Sequence, residues 1–193
     1  MYRCDRLSSH RVFVALVSMM LPWVASSQSA PPKLKLNVEL VLTSDFCTAE
    51  MKRGNGLTSV KEKFPVGEKL CPGLVSQLPA IFASLKKVDQ IPALNTSTAD
   101  IILVPKVGDI GATQKTLAFS KRELVVILEW TALNREGKTL WVSTVQANGK
   151  RNMGNVFTHG KNMRKINDDV ADDAIEKSVQ AISTAPELVN LAK

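Results

Sequence analysis

Residues 33–42 read KLKLNVELVL, and no other stretch constrains the fold as tightly. Leu34, Leu36, Val38, Leu40 and Leu42 alternate with Lys33, Lys35, Asn37, Glu39 and Val41. A period of two sends the first set to one face of an extended strand and the second set to the other. One face must therefore be buried while the other stays mostly wet, the pattern of antiparallel or mixed sheets. Such a sheet needs a second layer to cover its apolar face.

Two segments offer that layer. In 73–88, Leu74, Leu78, Ile81, Phe82, Leu85 and Val88 recur at spacings of three and four, which predicts a helix despite Pro79. Near the end, Val170, Ala171, Ala174, Ile175, Val179 and Ile182 form a second stripe. That helix is expected to begin at Asn167 or Asp168, with Asp169, Asp172 and Asp173 in its first turns, and to stop near Ser183 before Pro186.

Between them, 99–107 reads as a buried strand that ends near Pro105, with Gly108 and Gly111 opening a turn. Residues 117–130 and 139–145 read as a hairpin joined by Asn134–Lys138, where Gly137 suits a positive φ. Leu124, Val126, Leu128 and Trp130 share one face of its first arm; the register that would place Trp141 beside them is open by one residue. Residues 43–73, punctuated by glycine and proline, read largely as loop, and 146–165 is polar and basic, with Gly149, Gly154 and Gly160. The expected fold is α+β or α/β, a two-layer domain with one mixed or antiparallel sheet under two main helices.

The first residues point to export. Arg3, Arg6 and Arg11 precede an apolar run from Val12 to Val24, followed by Ala25, Ser26 and Ser27. That run falls short of the ~20 residues of a membrane-spanning helix and matches a signal peptide. Residues 1–27 are thus expected to be removed, leaving 28–193 as a single exported domain; an uncleaved tether is the alternative. Losing Arg3, Arg6, Arg11 and Asp5 lowers the net charge from +7 to +5. No later apolar run is long enough to span a membrane.

Cys47 and Cys71 lie 24 residues apart. In an oxidising compartment they can close a disulfide that contributes about 3 kcal/mol by chain-entropy reasoning. Two separate buried thiols are the other reading.

Motifs for chemistry are sparse. Beyond the leader the only histidine is His159, in the glycine-rich stretch FTHGKN, so no multi-histidine metal site can form and no metal or cofactor is expected. The glycine pairs at 54–56 and 108–111 lack a dinucleotide-binding or phosphate-loop pattern. Glu129, inside the apolar ILEWTAL, is the one catalytic candidate: with a second carboxylate, Asp100 or Asp109, it could serve acid–base hydrolysis. The simpler reading pairs it with a lysine across the hairpin. Lys150, Arg151, Lys161, Arg164 and Lys165 form a candidate anion-binding patch for lipid headgroups or glycans. A nucleic-acid partner is not expected, since the segment after the leader has no tyrosine and only scattered phenylalanines for base stacking.

The succession TADIILVPKV, VVILEWTALNREGKTLWVSTV, a glycine-rich stretch and DDVADDAIEKSVQAI resembles small bacterial cell-envelope α/β proteins of the transport-auxiliary and envelope-assembly lipoprotein type. The resemblance covers roughly residues 33–185. It implies a non-enzymatic accessory protein that binds envelope proteins or lipid-linked material, with an envelope complex or an anionic lipid or glycan surface as partner. Residues 20–32 hold no cysteine to carry a lipid, so the implied form is periplasmic or tethered by its N-terminus. A secreted hydrolase using Glu129 and a structural subunit of an envelope assembly are the competing readings. N-terminal sequencing of the exported protein should begin at Gln28; an intact Met1 in the envelope fraction would replace cleavage with the tether.

Overall fold

The computed structural model describes residues 33–54, 61–114, 121–152 and 159–193. The elements run β1 (Leu34–Val41), α1 (Ser44–Cys47), β2 (Met51–Gly54), β3 (Lys61–Phe64), α2 (Gly67–Gln77), β4 (Phe82–Val88), β5 (Ile101–Gln114), β6 (Lys121–Leu133), β7 (Thr139–Asn152), α3 (His159–Ser183) and α4 (Pro186–Leu191). Five strands form one mixed sheet in the order β4-β1-β5-β6-β7, and β2 pairs with β3 in a separate ribbon. β4 and β5 both run parallel to β1, while β5, β6 and β7 are antiparallel in succession. This is the expected two-layer α+β domain, with α2 and α3 as its main helices.

β1 lies where its alternation requires. Leu34, Leu36, Val38 and Leu40 face the helices and are buried. The other face is not wholly wet. The segment from 89 to 100 crosses it on the way from β4 to β5, where the Ser97 hydroxyl donates to Glu39 (2.7 Å) and the Asn37 N–H donates to Asp100 (2.8 Å).

The helix expected over 73–88 is a correction. α2 starts six residues earlier, at Gly67, and ends at Gln77. A single 3-10 turn follows over Leu78–Ala80, containing the Pro79 that cannot donate to a continuing helix. Phe82–Val88 is then the edge strand β4. The misreading has a definite cause. The β1–β4 register slips between Leu34 and Asn37, so Phe82 pairs with Leu34 and Leu85 with Val38, both inward-facing partners. The slip gives two strand residues three apart the same side of the sheet, a spacing that in sequence imitates a helical turn.

Three further boundaries shift. Gly108 and Gly111 lie within β5, with an irregularity between Val107 and Asp109, so the strand runs on to Gln114 where a turn was expected. Residues 43–73 hold α1, the β2–β3 ribbon and the start of α2. The basic stretch 146–165 is mostly β7 and α3, which begins at His159. The aspartates at 168–173 are therefore in the middle of α3 and do not cap it; its end at Ser183 and the Pro186 that opens α4 lie where the sequence put them.

The hairpin register places Trp141 opposite Ala132 and Ser143 opposite Trp130, so both rings share the helix-covered face. Gly137 takes the positive φ (77°) of the connecting turn. Trp130 is fully buried, and its indole N–H donates to Ser178 of α3 (2.9 Å), so the large ring goes inside without an orphaned donor. Gly149 lets α3 approach β7: a Cβ there would sit 2.7 Å from the Ile166 carbonyl oxygen and 3.2 Å from the Val170 Cβ. Gly149→Ala should force the helix outward and cost ~1–3 kcal/mol of unfolding free energy, measured by urea denaturation.

Candidate functional site

Cys47 closes α1 and Cys71 lies in α2, and the two form a disulfide with Cα atoms 5.3 Å apart. Thr43 caps α1 by accepting from the Phe46 N–H (3.2 Å). Gly67 makes the approach of α2 feasible, because any side chain there would meet the backbone of Phe46, Cys47 and Ala49. The covalent loop thus encloses the β2–β3 ribbon and pins both of its ends to the core.

Glu129 is on the sheet face turned away from the helices, with its side chain 48% exposed. Its carboxylate is 3.8 Å from Lys106 Nζ, on the adjacent β5, and lies over Gly108, where a Cβ would come within 2.9 Å of Oε1. The bulge at Gly108 makes room for this side chain. Asp109 is opposite Ile127, one step along the same face. Asp100 is at the start of β5, held by Asn37 and by Arg135 (3.1 Å). Glu129 therefore pairs with a lysine of β5 and not with one across the hairpin, where Thr144 is opposite it, and Asp100 is engaged elsewhere.

The five cations are not gathered on one surface. Lys150 and Arg151 are consecutive on β7 and so point to opposite faces. Lys150 pairs with Glu123 (2.7 Å). Arg151 grips Asp169 of α3 through two bonds of 2.6 and 2.8 Å, and those hydrogen bonds raise its guanidinium pKa further. Lys161, Arg164 and Lys165 are exposed on the first turns of α3. The side chain of His159 lies outside the described residues. Among the described residues, no helix is long and apolar enough to cross a membrane.

Two polar assemblies have no counterpart in the sequence reading. At one end of the sheet, Asn37, Ser84, Asp100 and Arg135 form a network: Ser84 donates to Asn37 (2.7 Å), and Arg135 donates to the Ala99 carbonyl (2.8 Å) and to Asp100. A cleft of about 430 Å³ opens beside it, lined by Lys35, Glu136 and Leu191 among others. At the α2–α3 junction a second cleft, of about 390 Å³, is walled by Pro65, Glu68, Lys69, Met163, Arg164 and Asp168. Asn167 lies at its base, 7% exposed, and its Oδ1 is the one buried side-chain polar atom without a partner among the described residues. Neither was legible, because each joins residues far apart in the chain.

The broadest surface is the sheet face opposite the helices. Where the 89–100 segment crosses it, Val41 and Ile102 are buried. Beyond that, Val104, Val125, Ile127, Thr131 and Leu133 are only partly covered, and Val142 is exposed. Among the described residues no helix packs on this side.

No protein family matches this sequence, and no curated protein does. Solved structures do. A Xanthomonas campestris protein of the DUF330 family aligns over 78% of this chain and 89% of its own, with a TM-score of 0.51 at 8% identity. A minor lipoprotein from Acinetobacter baumannii aligns over 79% and 93%, with a TM-score of 0.49 at 13% identity. The first likeness establishes a shared fold.

Ser97→Ala would leave the Glu39 carboxylate, 7% exposed, without its hydroxyl donor. The loss should be ~1.5–3 kcal/mol, read as a lowered midpoint in urea unfolding with an unchanged slope.

Proposed function

We propose that this chain is an exported, non-enzymatic accessory protein of a bacterial cell envelope, which binds other envelope proteins or lipid-linked material. The observation that carries this reading is the half-covered sheet face of β5, β6 and β7, where Val104, Val125, Ile127, Leu133 and Val142 lie among Lys106, Asp109 and Glu129. A two-layer domain has helices for only one side of its sheet, and apolar side chains left on the other, set among polar ones, are what a docking face requires. An envelope protein is the partner that suits it best, since the cations proposed for anionic lipid or glycan are divided between faces and two of them are engaged by carboxylates.

Two features support the compartment. The leader-like first 27 residues direct a chain out of the cytoplasm. The Cys47–Cys71 bond belongs to an oxidising environment.

The test is cross-linking of the tagged chain in the cells that make it, followed by mass spectrometry of envelope fractions. A single heterologous envelope protein should be recovered, and Ile127→Asp should reduce its recovery about tenfold while circular dichroism stays unchanged. Turnover of a substrate by the purified protein, abolished by Glu129→Gln, would overturn the reading in favour of a hydrolase.

A further inference from the structure

The sheet has two edges, and they are guarded differently. β4 carries Lys86 and Lys87, charges that discourage another strand from pairing there. β7 is longer, from Thr139 to Asn152, and has no charged residue between Thr139 and Gly149. Its protection comes from α3. The Asn148 N–H donates to Asp173 (2.8 Å), the Gln146 carbonyl accepts from Lys177 (3.0 Å), and the Asn152 carbonyl accepts from Asn162 (3.2 Å).

These bonds set the parity of the strand. In an antiparallel pair, alternate residues turn both N–H and C=O away from the neighbour. Since Gln146 and Asn148 turn theirs away from β6, Val142 and Thr144 do so too. The next residue in the helical row after Asp169, Asp173 and Lys177 is Ala181, whose methyl can neither donate nor accept. On the other side the register irregularity at Leu140 ends the regular strand. Among the described residues a short neutral run, Trp141–Val145, is thus left with uncapped backbone groups, and Val142 on it is 62% exposed.

We propose that this run pairs with the same run of a second copy, antiparallel about a two-fold axis at Ser143, joining two sheets into one. The proposal is independent of the envelope reading. In this register Val142 exchanges N–H and C=O bonds with Thr144 of the second copy, and Leu140 lies opposite Gln146, so no like charges meet. A symmetric contact uses only the uncapped run in each copy. A longer foreign strand would run into the Lys177 and Asp173 caps. Self-pairing also brings the two Val142 side chains together on the open face, where each is otherwise in water.

Sedimentation equilibrium of the purified protein tests this. A dimer is expected, with Val142→Lys and Thr144→Glu each weakening it by about tenfold or more. Circular dichroism should be unchanged in both, because both side chains are exposed. In the double variant each lysine faces the glutamate of the other copy, so dimerisation should return. A monomer at all concentrations overturns the proposal, as does a dimer indifferent to both single changes. A double variant that stays monomeric overturns the Ser143-centred register. A monomer that instead captures a different protein's strand on Val142 and Thr144 overturns the second copy as occupant.

Discussion

The seam between α3 and β7 is the interaction on which the rest of the structure depends. Gly149 brings the helix against the strand, and Trp130 reaches up from the middle of the sheet to Ser178. Arg151–Asp169, Asn148–Asp173 and Gln146–Lys177 then align the helix along the edge of the last strand. One helix thereby seals the core over β6 and β7 and satisfies backbone groups that an edge strand otherwise leaves bare. Two members of the acidic run at 168–173, Asp169 and Asp173, register the helix on β7, while Asp168 pairs with Lys69 of α2.

The opposite end of the molecule is organised by a covalent device. α1 is a single turn, and four residues of helix do not persist in water by themselves. The disulfide to α2 and the close approach at Gly67 supply what local propensity lacks. Between the two anchored ends, β5, β6 and β7 form a twisted sheet with one dry face and one face left to its surroundings. That asymmetry follows because, among the described residues, the two long helices are both used on the same side.

The strand alternation at 33–42, the stripe at 170–182, the inward set Leu124 to Trp130 and the positive φ at Gly137 were all legible, because each is a local pattern repeated along one element. A lysine partner for Glu129 was anticipated, but across the hairpin; it comes from β5 on the other side, as Lys106. β4 escaped because a register slip gives a strand helical spacing, and the true start of α3 escaped because the aspartates that look like a cap lie in mid-helix, two of them bonded to β7. The networks around Asp100 and Asn167 escaped because their members meet only after folding.

The sequence alone determined that this chain makes a half-buried sheet under two helices, since apolar periodicity is a property of neighbours along the chain. It shows too an apolar run from Val12 to Val24 behind three arginines, and a single histidine beyond it. Only tertiary structure decided which sheet edge is covered, which face stays open and which carboxylates find cations. Those outcomes depend on register and on helix placement, where a shift of one residue moves a side chain from one face to the other.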